Sequence, residues 1–302
     1  MAAAELLDRP PPPPEQEPFV VIGRGRRRVI DRAATALLAL VMAATIAILL
    51  WVLGYVAAQG LQYLGPEFLT QTPPGDPSEA GGGFLNGIIG SLIVVGIATV
   101  ISVPIGIAAA VHIVEYDGRL ARTAAFLTDV MVGLPTIVTG AFVYALWVVV
   151  FGFSGLAGGL ALALVMLPLV IRSAAEMLRL VPNELKEASL ALGISRARTI
   201  VSVVLPSAAS GIITGVMLAV ARAMGETAPL LLTALGNDLF IEANPTKRMS
   251  TLSLQIFGNA ITGFRTAQAR AWAGALTLIA IVLILTILAR IAGRRGAIRG
   301  RS

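Results

Sequence analysis

The chain has 302 residues, of which 56% are hydrophobic and only 13% charged, and its mean hydropathy is +0.84. Soluble domains are roughly half apolar and about a quarter charged, so this shortage of charge indicates a membrane protein. The absence of cysteine excludes disulfides and thiolate chemistry, and the single histidine, His112, leaves almost no room for a histidine-based metal site.

Residues 1–32 form a polar N-terminal segment rich in proline and arginine. Pro10 to Pro14 form a run that predicts extended, partly disordered chain. The segment does not have the pattern of a signal peptide, because its basic cluster comes late and the apolar stretch that follows is long enough to span a membrane.

The apolar stretches predict an all-α membrane protein with six spans of about 20 residues each. The turn Gly152-Phe153-Ser154-Gly155 divides the longest uncharged stretch, 130–171, into the third and fourth spans. The other predicted spans cover about 33–58, 87–113, 207–234 and 271–289.

The distribution of basic residues predicts the orientation of these spans. If both termini are cytoplasmic, the cytoplasmic segments hold 18 of the 23 Lys and Arg residues, as the positive-inside rule requires. The formal charge of +6 therefore indicates topology and not nucleic-acid binding. The loops 59–86 and 235–270 are then predicted outside, the second with a helix lying along the membrane surface.

Two charged residues lie inside the predicted fifth span, four positions apart, at Arg222 and Glu226. A charge in a membrane costs several kcal/mol unless it is paired or faces water, so such residues are candidates for function. They form either a structural ion pair or a polar site on an anion pathway. Arg172, at the inner end of the fourth span, is the second candidate for this pathway, or else an ordinary positive-inside arginine.

The segment 187–206 is polar and basic although long apolar stretches flank it. It predicts two short helices with a break at Gly193, followed by a new apolar helix that begins at Pro206. Such an elbow is either a solvated linker or a docking site for a soluble partner. The chain contains no Gly-x-x-x-x-Gly-Lys-Ser/Thr loop, so ATP that drives transport must bind another subunit.

A membrane serine protease is a further reading, because Gly152-Phe153-Ser154-Gly155 is similar to the Gly-x-Ser-Gly motif of that class. The predicted topology places Ser154 and His112 at opposite ends of the spans, roughly 30 Å apart. A general base must lie within about 3 Å of the proton that it removes. The topology therefore argues against a protease.

The elbow resembles the "EAA" loop of binding-protein-dependent ABC importer permeases. The matching residues are Glu187, Ala188, Gly193, Leu205 and Pro206, and the chain departs from the family pattern conservatively at Ser189 and Val203. The resemblance implies a type I importer permease fold over about 80–290, preceded by a first span and outer loop at 33–79 and followed by a basic tail at 291–302. It also implies that the matching residues form a coupling helix that docks into a cytoplasmic ATPase subunit.

Four further motifs resemble phosphate importer permeases of the PstA type, which pair in that family with a homologous PstC-type permease. They are Thr72-Pro73-Pro74-Gly75, Gly81 to Gly83, Asn86 to Ser91, and the stretch from Arg222 through Glu226 to Leu231. This resemblance implies inorganic phosphate as the substrate and a bacterial cell membrane as the location. It also implies two ATPase subunits that hold ATP and Mg²⁺, and an external phosphate-binding protein that docks on 59–86 and 235–270.

The chain itself is then a non-catalytic subunit without a cofactor. Two alternatives remain from the residues alone. One is a permease of another ABC importer, for sulfate, molybdate or an amino acid. The other is a secondary anion transporter, which leaves the elbow unexplained.

Overall fold

A computed structural model describes residues 24–299 of the chain. Within this range the regular structure is helical, apart from one isolated bridge between Leu235 and Met249, which confirms the all-α prediction. The helices are α1 (Arg24–Gly60), α2 (Pro66–Thr70), α3 (Leu85–Glu115), α4 (Arg119–Gly133), α5 (Thr136–Val143), α6 (Val149–Phe151), α7 (Gly155–Arg179), α8 (Asn183–Ala191), α9 (Arg196–Thr199), α10 (Leu205–Gly225), α11 (Ala228–Leu231), α12 (Leu252–Ala260) and α13 (Arg265–Arg299).

The predicted N-terminal segment lies mostly outside the described residues, and its last part, from Arg24, begins α1. The chain divides into two compact units at Gly54, within α1. The second unit begins at Tyr55. The end of this unit that carries 116–118 and 180–195 is called the elbow end, and the end that carries 61–84 and 226–264 is called the loop end.

Among the described residues of both units, five helical segments are long and apolar enough to cross a membrane, and a sixth span exists if one bent pair is counted as a single span. That pair is the predicted third span. It runs from Arg119 to Gly133, bends by 104°, and continues from Thr136 to Phe151. The bend lies at Leu134 and Pro135, because the proline has no N–H to continue the helix and forces the residue before it into extended backbone (ψ 133°).

The fifth span differs from the prediction at both ends. Helix α10 begins at Leu205 with Pro206 in its first turn, as predicted, but α9 and α10 form one continuous helical span from Arg196 to Gly225. A wider helical turn over Ile200–Val204 directly precedes the proline. Such a turn relieves the clash of the proline ring with the preceding turn and absorbs the missing hydrogen bond. At the other end the helix stops at Gly225, and Glu226 is extended (ψ 127°).

The core is built on close packing of α3 against α7 and α10. Ala98, Leu162, Met166 and Val170 are fully or almost fully buried there. A Cβ on Gly106 of α3 would lie only 2.6 Å from the Val170 side chain, so the two helix backbones approach as closely as glycine allows. Small residues at helix contacts are typical of membrane bundles, where close packing replaces the hydrophobic effect as the driving force.

Helix α12 lies in the segment 235–270, where the sequence predicted a helix, and its first turn packs against the protein. Leu252 and Leu254 are buried, and the Leu252 N–H donates a hydrogen bond to Ser91 Oγ of α3 at 2.8 Å. Thr251 caps the helix by accepting from the Leu254 N–H. The apolar spacing of α12 therefore includes residues that pack against the protein. A helix that packs against protein and one that packs against lipid show the same apolar period, so the spacing alone does not distinguish them.

Candidate anion pathway and coupling elbow

Arg222 and Glu226 form the ion pair that their spacing predicted. Arg222 lies in the last turn of α10, and its Nε atom is 3.5 Å from Oε1 of Glu226, the first residue after the helix. The arginine side chain is 59% exposed and the glutamate only 16%, so the guanidinium group is the accessible half of the pair. Ser253 Oγ donates to the Glu226 carbonyl at 3.0 Å and ties this helix end to α12.

Arg172 forms a second pair of the same kind on α7, with its Nε atom 3.6 Å from Glu176 Oε1. Both side chains are more than half exposed. Arg172 and Arg222 line one open groove of about 430 Å³ between α7 and α10, and Glu176 lies in the same wall. The structure therefore brings two of the three predicted pathway residues to one surface, with Glu226 behind Arg222 as its partner.

The two helices pass close together beside this groove. A Cβ on Gly215 of α10 would lie 2.4 Å from Ser173 Oγ of α7, so only glycine fits at that contact. The close approach is what allows arginines on different helices to share a groove. Each guanidinium group has five N–H donors in a planar fork. The neighbouring glutamate contacts only part of this fork, so donors remain for an anion.

Arg222 also borders a second, smaller cavity of about 80 Å³. Leu134, Thr136 and Thr139 line it from the bend between α4 and α5, and Pro168 lines it from α7. Irregular backbone at membrane depth is tolerated only where it is buried in protein or lines a watery cavity. The two threonines were missed by sequence reasoning, although Gly133-Leu134-Pro135 in an apolar stretch signals a helix break.

The elbow consists of α8 and α9 with a turn between them. Gly193 has a φ of +79°, a left-handed conformation that ends α8 and favours glycine, as predicted. A hydrogen bond of 2.9 Å between the Ser189 and Thr199 hydroxyls holds the two helices together. Glu187 and Ala188 are exposed on the surface of this elbow.

Two leucines on the elbow add an apolar surface that sequence reasoning did not single out. Leu190 is 47% exposed and Leu192 is 81% exposed. Leu205 and Pro206, the last two residues of the family pattern, lie inside the continuous helix, roughly 15 Å beyond its start at Arg196 at 1.5 Å per residue. The exposed surface of the elbow is therefore formed around 187–193, and Leu205 and Pro206 belong to the span behind it.

Lys186 connects the elbow to the span α3. Its Nζ atom lies 2.5 Å from Oε1 of Glu115, the last residue of α3, and the glutamate side chain is only 7% exposed. The pair is separated by 71 residues in the chain, so sequence reasoning missed it. The one sequence feature that points to this pair is that Glu115 is the first charged residue after the uncharged stretch of the second span.

A polar network stands at the opposite end of α3. Gln255 of α12 is 1% exposed and donates through Nε2 to Asn86 Oδ1 at 2.9 Å and to Asp238 Oδ1 at 3.1 Å. Asn86 in turn donates to the Asn237 carbonyl at 2.8 Å. The loop that carries 237 and 238 is thus fixed to both α3 and α12.

The loop-end segment before α3 is held by Arg270 of α13. The arginine is 5% exposed and donates to the carbonyls of Glu79 at 2.6 Å and Pro77 at 3.0 Å. Beside this contact, the backbone N–H and hydroxyl of Ser78 donate to Asp76 Oδ1 and lower the pKa of that carboxyl below its ordinary value. The proline- and glycine-rich loop therefore has a defined conformation.

Ser154 and His112 do not form a catalytic pair. Ser154 is the N-cap of α7 and accepts from the Ala157 N–H at 3.1 Å, whereas the His112 ring stacks on Tyr116 at the other end of the bundle. Within residues 24–299, no cluster of three or more histidine and acidic side chains is placed to hold a metal ion. The candidate site is therefore a set of arginine–glutamate pairs suited to binding and passing an anion.

Comparisons with known proteins place the chain in a family. The profile of the family described as "Binding-protein-dependent transport system inner membrane component" matches residues 102–297. The chain is 42% identical to the phosphate transport system permease protein PstA of Yersinia pestis over 247 residues, or 80% of this chain and 83% of that protein. It is 37% identical to PstA 1 of Mycobacterium tuberculosis H37Rv over 295 residues, or 94% of this chain and 93% of that protein.

Solved structures share the fold at low sequence identity. A chain of a bacterial alginate ABC transporter superposes with a TM-score of 0.65 at 14% identity, covering 90% of this chain and 97% of that one. A chain of the MetNI methionine ABC transporter gives 0.52 at 18% identity, covering 72% and 93%. This chain belongs to the binding-protein-dependent transport system inner membrane component family and, within it, to the PstA-type permeases.

Proposed function

We propose that the chain is a permease subunit of an ATP-driven phosphate importer and that Arg172, Arg222 and Glu226 lie on its anion pathway. The observation that carries this proposal is the groove shared by the two arginines on α7 and α10. The relatives that cover most of the chain are named phosphate transport permeases, which supports phosphate as the anion.

The two ion pairs suit a site that binds an anion weakly. A phosphate ion that enters the groove exchanges part of each arginine's contact with its glutamate for a contact with the phosphate oxygens. Because each guanidinium group keeps a carboxylate neighbour, the net attraction is smaller than that of a free arginine. A pathway site must be favourable enough to enter and weak enough to leave, and this arrangement meets both conditions.

The exposure of the arginines also supports a second permease. In this chain by itself the Arg172 and Arg222 side chains are both 59% exposed. A charged side chain inside a membrane faces the protein interior or a watery cavity, not lipid. A homologous PstC-type permease that covers this face completes the pathway between the two chains.

The elbow end is assigned to the cytoplasm, with both termini, and the loop end to the outside, in accordance with the distribution of Lys and Arg. The complex contains two ATPase subunits, which hold ATP and Mg²⁺. The elbow surface around Glu187, Leu190 and Leu192 docks into a groove on one of them. The extracytoplasmic phosphate-binding protein docks on 59–86 and 235–270, which Arg270 and Gln255 hold in shape.

The proposed function is tested by ATP-dependent uptake into liposomes that contain the co-purified complex, with phosphate and sulfate compared side by side. We expect phosphate uptake that requires ATP and the binding protein. Sulfate uptake in preference to phosphate would indicate another anion importer of the same family. Phosphate uptake by the permeases without ATPase subunits would indicate a secondary transporter.

A further inference from the structure

A groove at the elbow end is not used by the proposed transport cycle. It has a volume of about 450 Å³ and lies between the inner ends of α3 and α7 and the start of α4. Arg122 of α4 and Arg179, the last residue of α7, line it from opposite sides, and the connecting residues Tyr116 and Asp117 complete the wall.

The groove carries a positive charge that the described residues do not neutralise. Within residues 25–291, neither Arg122 nor Arg179 takes part in an ion pair, and the single acidic residue in the wall is Asp117. Arg196 lies over the Tyr116 ring with its guanidinium carbon 4.9 Å from the ring centroid and adds to the positive field. Two arginines on different helices are well suited to bind a phosphate group.

The groove continues along α4 and combines its charge with an apolar wall. It extends from Gly118 to Ala125, roughly 10 Å at 1.5 Å per residue. Ile113 and Ala121 line the apolar side. On the outer surface of the same helix, Leu120 is 69% exposed and Phe126 is 65% exposed.

We propose that this groove binds the phosphate headgroup of an anionic phospholipid from the cytoplasmic leaflet, with Arg122 and Arg179 contacting the phosphate and an acyl chain lying along α4. Basic pockets between membrane helices on the cytoplasmic side are typical sites for anionic headgroups. An acidic side chain of a docked ATPase subunit reaches only the charged rim, whereas a lipid also covers the apolar wall. The assignment to the cytoplasmic leaflet rests on the orientation given under the proposed function, whereas the presence of the site does not.

The position of the groove links the lipid to coupling. Tyr116 directly follows Glu115, whose carboxylate pairs with Lys186 of the elbow. A headgroup held between α4 and α7 restrains the connection 116–118, which directly follows Glu115. We therefore expect anionic lipid to raise the ATP hydrolysis that the binding protein stimulates in the intact complex.

The test uses the whole co-purified complex in nanodiscs with mixed phosphatidylglycerol and phosphatidylcholine, followed by measurement of the phospholipid retained after detergent washing. We expect wild-type complex to retain phosphatidylglycerol selectively, and the R122Q/R179Q variant to retain about tenfold less. R198Q is the matched control, because Arg198 is an exposed arginine at the same end but not in the wall of the groove, and it should retain lipid as wild type does. Co-purification of the ATPase subunits verifies that the variants are folded.

Equal retention by wild type and R122Q/R179Q would overturn the proposal. Displacement of the lipid by millimolar inorganic phosphate, together with selective phosphate retention, would assign the groove to the free ion instead. Lipid that binds only after the ATPase subunits are removed would make the groove a docking surface, which also overturns the proposal. None of these results depends on phosphate uptake. The lipid proposal and the proposed transport function can therefore be refuted independently of each other.

Discussion

Lys186 Nζ lies 2.5 Å from Glu115 Oε1 and joins the elbow to the end of the span α3. The other two ion pairs within the described residues each join positions four apart on one segment, so this pair differs in linking distant parts of the fold. At its opposite end α3 carries Asn86, which is bonded to Gln255 and to the loop at Asn237. A single helix of 31 residues thus connects the proposed ATPase contact with the proposed docking loop.

The first prediction concerns this connection. In Glu115→Gln the partly buried ammonium group of Lys186, 19% exposed, loses its charged partner, which should lower the free energy of unfolding by about 2 kcal/mol. The binding protein should then stimulate ATP hydrolysis less, because the elbow no longer moves with α3. Glu184→Gln, an exposed position on the same short helix, should leave the stimulated rate unchanged. Hydrolysis is measured in the purified complex with and without binding protein.

The exchanged pair, Glu115→Lys with Lys186→Glu, separates the charge pair from mere packing. Recovery of at least part of the stimulation is expected, since opposite charges again face each other. If Glu115→Gln retains full stimulation, the connection between α3 and the elbow has no role in coupling.

The second prediction concerns the turn in the elbow. Gly193 has a φ of +79° with open space around it, so a tryptophan there strains the backbone and places a bulky side chain on the docking surface. Gly193→Trp should lower the amount of ATPase subunit that co-purifies. Gly152→Trp is the matched control, because Gly152 has a φ of +82° and equally open surroundings at the loop end. Equal ATPase recovery from both variants would argue against docking at the elbow.

The third prediction concerns the bend between α4 and α5. Thr136→Val and Thr139→Val keep the side-chain shape but remove hydroxyls from the cavity that Arg222 borders. If phosphate passes here, loss of a hydrogen bond to a charged group should lower uptake by about tenfold. Thr128→Val on α4 also removes a hydroxyl bonded within its own helix, to the Ala124 carbonyl at 2.8 Å, as the Thr139 hydroxyl is bonded to the Thr136 carbonyl at 2.7 Å. Thr128 lies outside the cavity wall, so this variant should have little effect. Unchanged uptake by both pathway variants would exclude this cavity from the route.

The fourth prediction concerns Arg270. Its removal in Arg270→Ala leaves the Pro77 and Glu79 carbonyls without their donor, which should loosen the loop before α3. Binding protein should then dock more weakly, while the ATPase subunits still co-purify because the elbow is distant. Arg290→Ala, an exposed position toward the other end of the same helix and outside 59–86 and 235–270, serves as the control. Docking affinity is measured by titrating labelled binding protein onto the complex, and an unchanged affinity would contradict this role.

The sequence predicted the number of spans and the elbow break because these depend on local properties. Apolar length decides whether a segment spans, and Gly193 supplies the left-handed turn by itself. The interruption at Leu134 and Pro135 was missed because apolar composition continues through it. Pro206 was correctly placed in the first turn of α10, but the continuity of this helix with α9 was missed, since the wider turn at Ile200–Val204 that joins them has no residue signature.

The candidate site was predictable residue by residue but not as an arrangement. A charge in an apolar stretch is conspicuous, so Arg222, Glu226 and Arg172 could be proposed as candidates from the sequence. Their shared groove depends on how α7 and α10 pack at Gly215, and that packing leaves no local pattern. The pair Glu115–Lys186 depends in the same way on tertiary structure.

The most direct test of the central claim is ATP-driven phosphate uptake by liposomes that contain complex with Arg222→Ala, beside Arg172→Ala and Glu226→Ala. The control is Arg290→Ala, whose arginine is exposed on α13 and lies outside the wall of the groove and outside both docking segments. We predict that Arg222→Ala lowers uptake by about a hundredfold, the effect of losing roughly 3 kcal/mol of charge-assisted binding, while the complex still assembles and the control is unaffected. Wild-type uptake by Arg222→Ala and Glu226→Ala would contradict the assignment of this groove as the phosphate pathway.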